Sequence, residues 1–471
     1  MNKTKIVATI GPSTSSKKKI KGLIGAGMDV ARINLKHSNY DEVREVVKTI
    51  NDLNEELGTY VAIMFDTQGP EIRTHNFEGG HAVFKRDTKI KIYMEEILGD
   101  NTKFSVNYPS LLEDVNYDTI IKIDDGHISM QVLDKGKNYL LCNVLNDGEV
   151  NNHRGINVPG VKLNIPFLSE RDYKDIEFAN ELNIDFLALS FVRSYEDILE
   201  INDILIKLEN DHIGIIAKVE CESAIDDLDE IIKVSDGVMV ARGDLGVELP
   251  LERIPGFQKT IITKCHINGK ISIVATEMMN SMMNSAVPTR AEVSDVANAV
   301  LDSADAVMLS GETTIGSYPI ETVETMNRIV EAAEKDVDYL SFMDRAVRTG
   351  ANDITGMVAY NVASSSIRLD CSAILAPTIS GYTARKISRY RPKCPIIAPT
   401  PNISTAKSLQ LYYGVIPAMI DELKSFDKLI EQSKKIVSDI IEIKHGDKII
   451  ITGGYPFKEV KNTNFMKIEE L

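Results

Sequence analysis

Short, nearly continuous apolar runs alternate with amphipathic segments along most of the chain. Each run ends in polar residues, and between the runs apolar residues recur at helical spacing. Buried parallel strands read as continuous apolar runs, and strands connected through a helix lie parallel. Eight such units predict an α/β fold, a (β/α)8 TIM barrel, whose active sites lie at the C-terminal strand ends. The predicted strands are Lys5–Ile10, Met28–Ile33, Tyr60–Phe65, Ile184–Leu189, Ile215–Val219, Asp236–Val240, Ile271–Ala275 and Asp305–Leu309.

The alternation stops after the third run. From residue 70 to residue 159 the helical period is lost, and the sequence alternates in short pieces such as Thr88–Met94. Asp124–Gly126 in this segment is a hairpin-turn signal. Gly69–Pro70 and Pro159–Gly160 punctuate its two ends, as hinges would. We therefore expect a small all-β domain inserted into the barrel.

A second α/β pattern follows a charged helical connection at residues 334–348. Its apolar runs are Ala373–Leu375, Pro395–Ala398, Gly414–Ile416 and Lys448–Ile451. The expected division is a barrel from residues 1–69 and 160–340, an inserted domain at 70–159, and a C-terminal α/β domain at 350–471. Beyond the alternation of strands and helices we identify no internal repeat.

Composition narrows the classes of function. A chain of 471 residues is long enough for about three domains. The net charge of -16 argues against a general nucleic-acid or anionic-membrane binder. The scattered cysteines include no CxxC pair, which argues against a disulfide framework or structural zinc and fits a reducing compartment. Without a signal peptide or a run of ~20 apolar residues, the protein is expected to be cytoplasmic.

The segment from Ile215 to Glu248 concentrates the candidate chemistry. Its two strands are joined through one helix, so their C-terminal ends lie on the same side. Lys218, Glu220 and Asp244 can therefore share one mouth. A lysine between two carboxylates suggests a hard divalent cation beside a group that meets a substrate anion. An ion-pair network at a domain surface explains the same segment equally well.

The remaining strand ends strengthen the first reading. Glu220 and Asp244 can hold Mg²⁺ or Mn²⁺, and Lys218 and Arg32 can neutralise a phosphoryl group during transfer. Arg73, at the start of the inserted segment, could close on a second phosphate. There is neither a Walker A motif nor G-x-G-x-x-G, so side chains and metal would have to hold a nucleotide. Each of these residues alone is better explained as part of a barrel-rim ion pair, but together they favour a site.

Long motifs then resemble the pyruvate kinase family along nearly the whole chain. They include ATIGPS, ARIN, DTQGPEIRT, DDG, GINVPG, LSERD, AKVE, ARGDLGVE, PTRAEVSDVANAVLDSAD, MLSGET and YRPKCPIIAPT. The resemblance implies phosphoryl transfer from phosphoenolpyruvate to ADP, followed by protonation of the enolate to pyruvate. It also implies Mg²⁺ and usually K⁺, a barrel with a mobile β-barrel lid and a C-terminal domain, and a homotetramer.

Matched position by position, the resemblance implies roles for the residues at the mouth. Glu220 and Asp244 match divalent-metal ligands, and Lys218 matches the lysine that stabilises the phosphoryl group. Arg32 matches a contact to the substrate phosphate. Gly243, Asp244 and Thr276 match substrate-binding positions, with Thr276 where the methylene carbon is protonated. Three more residues match nucleotide-contacting positions: Arg73, Asn34, and Arg154 in place of a lysine.

The family's monovalent-cation site matches Asn34, Asp66 and Thr67, together with a serine that is replaced here by Lys36. An ammonium group on a flexible stem could sit where K⁺ would sit, so we expect activity that does not need K⁺. The alternatives are that Lys36 points to solvent or impairs the site. Other departures from the family pattern are Gln68 for lysine, Cys221 for asparagine, Glu277 for glutamine and Ile315 for lysine.

A polar, glycine-containing turn in the C-terminal domain matches the family's sugar-phosphate effector site. Its residues are Thr378, Ser380, Gly381 and Thr383. Backbone N–H groups at the start of a helix can bind a phosphate. The same sequence pattern also fits an ordinary capped turn that binds no ligand. Two alternatives to pyruvate kinase activity stay open at this point. One is a metal-dependent carbon–carbon lyase acting on an enolpyruvate, and the other is a catalytically weakened regulatory paralogue.

Overall fold

The computed structural model describes residues 2–210, 212–347, 353–421, 426–455 and 462–471. The strands are β1 Lys5–Thr9, β2 Val30–Asn34, β3 Ala62–Asp66, β4 Ile72–Arg73, β5 His81–Phe84, β6 Lys89–Tyr93, β7 Lys103–Ser105, β8 Ile120–Ile123, β9 Ile128–Lys135, β10 Tyr139–Val144, β11 Gly148–Asn151, β12 Gly155–Asn157, β13 Phe186–Leu189, β14 Gly214–Val219, β15 Gly237–Ala241, β16 Ile271–Ala275, β17 Ala306–Leu309, β18 Ala373–Leu375, β19 Ile396–Thr400, β20 Val415–Met419, β21 Lys448–Gly453 and β22 Phe465–Glu470.

The α-helices are α1 Lys17–Ala26, α2 Tyr40–Leu57, α3 Leu111–Asp114, α4 Glu170–Glu181, α5 Tyr195–Lys207, α6 Glu222–Asp226, α7 Leu228–Val234, α8 Arg242–Glu248, α9 Ile254–Asn268, α10 Arg290–Leu301, α11 Gly311–Thr314, α12 Pro319–Ala333, α13 Tyr339–Val347, α14 Ile354–Arg368, α15 Tyr382–Ser388, α16 Ile403–Ser408 and α17 Phe426–Ile440. Short 3₁₀ turns lie at Leu35–His37, Glu78–Gly80, Leu251–Arg253, Asn280–Met283, Glu334–Asp336 and Leu409–Leu411.

Eight parallel strands close into a barrel in the order β1-β17-β16-β15-β14-β13-β3-β2. Each predicted apolar run lies in one of these strands, so the predicted barrel is confirmed. The strands are largely apolar because both faces are covered, one by the barrel interior and the other by helices. Arg32, Asp66 and Lys218 lie near the C-terminal ends of β2, β3 and β14, at the mouth of the barrel.

Helix α4 illustrates how local sequence starts the barrel helices. The Ser169 side chain accepts a hydrogen bond from the Asp172 amide, and the Asp172 carboxylate accepts one from the Ser169 amide at 2.9 Å. This capping box satisfies two N–H groups that a helix start leaves without partners. The sequence of this first turn therefore fixes where α4 begins.

The inserted segment between β3 and β13 folds on its own apolar core, which includes Phe84, Phe104 and Ile121. It contains a seven-stranded sheet, β4-β12-β8-β9-β10-β6-β7, and a two-stranded sheet of β11 and β5. The predicted hairpin turn joins β8 to β9, with positive φ at residues 124–126. Gly69 enters the insert at φ 70°, where an added Cβ would lie 2.7 Å from the Ser190 carbonyl oxygen. Glycine is required there by both conformation and space.

The C-terminal sheet has the order β20-β19-β18-β21-β22. Its first four strands were expected from the sequence, but β22 was not. β22 pairs antiparallel with β21, and its residues 466–469 alternate apolar and charged side chains at a sheet edge. The C-terminal unit packs on the N-terminal end of the barrel, where Gly414 donates its amide to the Lys3 carbonyl at 2.8 Å. The opposite, C-terminal mouth of the barrel faces the inserted segment.

Candidate active site

A cavity of about 870 Å³ lies between the barrel mouth and the inserted segment. Its wall includes Lys36, Arg73, Arg154, Cys221 and Asp244. Arg32, Lys218 and Glu220 lie behind this wall as a buried polar cluster, each less than a tenth exposed. Asp244 therefore connects the open cavity with the buried charges.

Lys218 is the centre of the buried cluster. Its Nζ lies 2.9 Å from Glu220 Oε1 and 3.3 Å from Asp66 Oδ1, and it donates to Ser190 Oγ at 2.7 Å. Burial lowers the pKa of Lys218, but the charges of Asp66 and Glu220 outweigh burial and raise that pKa overall. Lys218 is therefore a permanent, oriented positive charge at the mouth.

Arg32 reaches the same carboxylate from β2. Its guanidinium forms an ion pair with Asp66 and donates to Thr9 Oγ1 at 3.1 Å. Burial raises the pKa of Asp66, and the charges of Arg32 and Lys218 lower it to below the ordinary value. Arg32 and Lys218 would repel each other at this distance. The negative charge of Asp66 between them offsets that repulsion.

Glu220 and Asp244 form the carboxylate pair predicted for a divalent metal. Glu220 Oε2 accepts the Phe191 amide at 2.7 Å, and Phe191 holds a positive φ of 55° to present it. Burial raises the pKa of Glu220, the charge of Lys218 lowers it, and the charge of Asp244 raises it. Asp244 has no hydrogen bond or ion pair within the described part of the chain.

This donor set fits Mg²⁺ or Mn²⁺. A divalent cation would offset the negative charge of the buried Glu220 and of Asp244 at the cavity wall, and hard cations prefer carboxylate oxygens. Among the described residues there is no group of three or more His, Cys, Asp or Glu side chains arranged to hold a metal. Mg²⁺ is usually bound by one or two carboxylates, with water and substrate phosphates completing the shell, so a pair suffices.

Thr276 sits in a strained backbone beyond β16. Its φ is 66° and that of Glu277 is 55°, and a β-branched residue with positive φ is a genuine outlier. The Thr276 hydroxyl accepts the Gly243 amide at 2.8 Å and donates to the Ala275 carbonyl at 2.7 Å. The structure thus joins Thr276 and Gly243, two residues predicted from different strands.

Arg242 holds this strained turn in place, and sequence reasoning gave it no role. It donates to the Thr276 carbonyl at 2.6 Å and to the Ala275 carbonyl at 3.3 Å. Its Nη1 forms an ion pair with Asp295 on α10 at 2.6 Å. Arg242 directly follows β15, at the C-terminal end of a barrel strand. Its position in the sequence alone could have marked it as a candidate site residue.

Lys36 does not point to bulk solvent, because its side chain is only 21% exposed and its Nζ forms an ion pair with Glu71. Glu71 also pairs with Arg73, at 2.8 Å from Nη2. The other residues of the expected monovalent-cation site already have protein partners. Asn34 Oδ1 accepts the Lys36 amide at 3.0 Å, and Thr67 Oγ1 accepts the Ser190 amide at 3.1 Å.

The inserted segment touches the helix that carries Asp244. Lys122 Nζ donates to the Val247 carbonyl, and Asn157 Nδ2 donates to Glu248 Oε1 at 2.9 Å. Arg154, 44% exposed, lies 3.4 Å from Asp124 in the hairpin turn. The insert therefore covers the cavity with Arg154 on its inner wall.

The polar turn of the C-terminal sheet lies far along the chain from these residues and is not part of the cavity wall. Gly381 has φ 78° and precedes α15. Thr383 Oγ1 lies 2.7 Å from Thr463 Oγ1, and Arg385 donates to the Ser380 carbonyl. Thr378 donates its amide to the Pro399 carbonyl at 2.9 Å.

Comparison with known proteins decides the family. A model of the pyruvate kinase barrel domain matches residues 1–323, and a model of the pyruvate kinase alpha/beta domain matches residues 357–469. The chain belongs to the pyruvate kinase family. It is 44% identical over 468 residues to a pyruvate kinase of Geobacillus stearothermophilus, covering 99% of this chain and 80% of that one. It is 43% identical over 470 residues to one of Staphylococcus aureus (strain MRSA252), with the same coverage.

The fold agrees with a solved pyruvate kinase structure. The Cryptosporidium parvum enzyme superposes with a TM-score of 0.94 at 35% identity, covering 100% of this chain and 96% of the other. Pyruvate kinases are phosphotransferases that pass the phosphoryl group of phosphoenolpyruvate to ADP, giving pyruvate and ATP. The family resemblance and the fold class expected from the sequence are both confirmed. Within the described residues, no helix is long and apolar enough to cross a bilayer.

Replacing Arg242 with methionine is expected to lower pyruvate kinase kcat/KM for phosphoenolpyruvate on the order of 10²-fold, because Thr276 and Gly243 would lose their fixed geometry. Steady-state assays of Arg242→Met and Asp295→Asn would both show the loss. Arg253→Met, a nearby exposed arginine, is the matched control. Activity of Arg242→Met equal to that control would contradict the positioning role.

Proposed function

We propose that phosphoryl transfer takes place between the buried cluster and the cavity, with Lys218 and Arg32 holding the phosphoryl group of phosphoenolpyruvate. The observation that carries this proposal is the contact of Lys218 with Glu220 at 2.9 Å, with Asp244 exposed to the cavity beside them. Fixed positive charge lowers the energy of a transferring phosphoryl group more than any covalent participation does. Glu220 and Asp244 hold Mg²⁺ or Mn²⁺, which when bound supplies positive charge to the phosphoryl oxygens.

Gly243, Asp244 and Thr276 line the place of the enolpyruvate part of the substrate. The Thr276 hydroxyl lies on the side where the methylene carbon of the enolate receives its proton. Support comes from the strained Thr276 backbone, since strain of this kind persists where surrounding contacts over-determine a functional geometry.

The nucleotide occupies the outer part of the cavity, next to Arg73 and Arg154, with Asn34 at its inner end. Both arginines line the cavity, and both carry carboxylate partners that a nucleotide phosphate would replace. Guanidinium groups bind phosphate oxygens in pairs, which suits this task. The insert at residues 70–159 acts as the lid, residues 1–69 and 160–340 form the barrel domain, and residues 350–471 form the C-terminal domain.

The fate of phosphorus tests this proposal. Phosphorus NMR of the purified enzyme with phosphoenolpyruvate, ADP and Mg²⁺ is expected to show the substrate signal replaced by the γ-phosphate of ATP, in equal amount. A lyase or a hydrolase acting on the same enolpyruvate would not form ATP. Appearance of inorganic phosphate in place of ATP would contradict the assignment.

The enzyme is further proposed to work without K⁺. Support comes from Lys36, which follows the expected monovalent-cation residue Asn34 by two positions and whose ammonium pairs with Glu71 instead of pointing to bulk solvent. Turnover is expected to stay the same when K⁺ is replaced by tetramethylammonium, and Lys36→Ser is expected to need K⁺. The exposed Lys21→Ser variant is the control. Collapse of wild-type turnover in tetramethylammonium would show instead that Lys36 does not replace the ion.

Three further proposals follow from family membership: a cytoplasmic location, a homotetramer, and a sugar-phosphate effector bound at Thr378, Ser380, Gly381 and Thr383. The free cysteines fit a reducing compartment. The effector proposal is supported by the contact of Thr383 with Thr463, since a second segment of the chain then borders the turn.

A further inference from the structure

An aspartate immediately precedes every second strand of the barrel, at the end opposite the catalytic mouth. The four residues are Asp29 before β2, Asp185 before β13, Asp236 before β15 and Asp305 before β17. We call them the aspartate ring. Each lies at the same position in a quarter of the barrel, so the chain does contain a repeat beyond the alternation of strands and helices, contrary to the expectation from the sequence.

Each carboxylate of the ring braces the neighbouring strand through its Oδ2. The backbone amides that donate to it are Ile6 to Asp29 at 2.8 Å, Ile63 to Asp185 at 2.8 Å, Ile215 to Asp236 at 2.9 Å and Ser272 to Asp305 at 3.0 Å. These amides belong to the start of β1, β3, β14 and β16, so the carboxylates join the strands in pairs.

In Asp305 and Asp29 the second carboxylate oxygen, Oδ1, faces a positively charged side chain instead of a backbone amide. Asp305 Oδ1 lies 2.8 Å from Arg391 Nη1, and both side chains are almost fully buried. Asp29 Oδ1 lies 3.6 Å from Lys5 Nζ, and Lys5 donates at 2.8 Å to the Val415 carbonyl. Arg391 and Val415 both belong to the C-terminal unit.

The other two aspartates also face positive charge from that unit. Burial raises the pKa of Asp185 to about 6, and the positive charge of Lys407 on α16 opposes this shift. Burial lowers the pKa of Arg385 on α15, while Tyr412 and the negative charge of Asp236 raise it. Asp305 therefore contacts the C-terminal unit directly, and Asp29 contacts it through Lys5.

We propose that the aspartate ring is the docking surface for the C-terminal α/β unit, with one carboxylate oxygen bracing two barrel strands and the other orienting the docked unit. An apolar contact alone tolerates rotation, and the barrel interior and the C-terminal sheet share one continuous apolar cluster. A buried carboxylate must keep its charged partner, because losing it leaves an uncompensated charge. The buried Asp305–Arg391 pair and the link from Asp29 through Lys5 to Val415 both favour one orientation of the C-terminal unit.

Two substitutions at one position separate the two tasks. Asparagine at residue 305 keeps an oxygen for the Ser272 amide but brings an NH₂ group to Arg391, whereas alanine removes both interactions. Hydrogen–deuterium exchange of the full chain, followed by mass spectrometry, reports on β16 and on β18 to β20 separately.

In Asp305→Asn, exchange in β18 to β20 is expected to rise on the order of tenfold while β16 stays protected. In Asp305→Ala, exchange is expected to rise in both regions. Asp370→Asn, which breaks an exposed ion pair with Lys393 in the C-terminal unit, is the control and should change neither. Equal exchange of β18 to β20 in Asp305→Asn and in this control would overturn the docking role.

A second variant keeps the test valid if Asp305→Ala does not fold. Arg391→Met removes the partner from the C-terminal side without touching the barrel brace, and it is expected to loosen β18 to β20 alone. The double variant Asp305→Asn with Arg391→Met should lose less protection than the sum of the single variants, because the two residues are coupled. Strict additivity would overturn the proposal.

Discussion

Replacing Lys218 with methionine is expected to lower kcat on the order of 10³-fold, the upper range for removing one preorganised stabilising group from a transition state. Methionine keeps most of the length of the side chain but has no charge. Asp66 would keep its ion pair with Arg32, and Glu220 would keep the Phe191 amide. The lower kcat would therefore reflect the missing positive charge next to the phosphoryl group. Pyruvate formation measured at saturating substrate and Mg²⁺ gives the value directly.

The expected loss is specific to phosphoryl transfer. Exchange of the methyl protons of pyruvate with solvent should fall less in Lys218→Met than the overall reaction does, because the proton side of the site is assigned to Thr276. Lys218→Arg should not restore activity, since a planar guanidinium cannot satisfy Asp66, Ser190 and Glu220 from one point. Lys264→Met, at an exposed pair with Asp229, is the matched control. A kcat for Lys218→Met close to that of the control would remove Lys218 from the mechanism.

Replacing Glu220 with glutamine is expected to weaken divalent-cation binding strongly and to lower turnover with it. Glutamine can still accept the Phe191 amide, so the fold around it is preserved, but a neutral amide is a poor partner for Mg²⁺. The affinity should fall at least on the order of 10²-fold, which is already the upper range for losing an outer-shell partner of a metal.

Manganese binding to the free protein measures this effect without any turnover. Electron paramagnetic resonance of Mn²⁺ titrated with wild-type protein, Glu220→Gln and Asp244→Asn should show weak binding in both variants. Glu222→Gln, an exposed glutamate two residues away, should bind as the wild type does. Wild-type Mn²⁺ affinity in Glu220→Gln would show that the metal is held elsewhere.

The barrel could be predicted because its information is local and repeated. Short apolar runs such as Ile271–Ala275 favour buried strands because they are too short for a typical helix, and Ser169 with Asp172 marks a helix start by a contact within one turn. Residues 466–469 of β22 alternate with the period of a strand, but the alternation is only four residues long, and the pairing with β21 establishes the strand.

The charged residues of the site could be predicted from the sequence. The contacts between residues on different strand ends could not. Lys218 and Glu220 are separated by two positions on one strand end, so their neighbourhood follows from the fold. The hydrogen bond from Arg242 to the Thr276 carbonyl joins two strand ends, and the positive φ of Thr276 is not what a β-branched residue prefers locally. Phe191, an apolar residue that acts through its backbone amide, has no side-chain signal at all.

Pyruvate formation by the purified enzyme, with each component left out in turn, tests the central claim most directly. Pyruvate is expected only when phosphoenolpyruvate, ADP and a divalent cation are all present, with ATP formed in equal amount. Pyruvate formed without ADP, or none formed with the complete mixture, would contradict it.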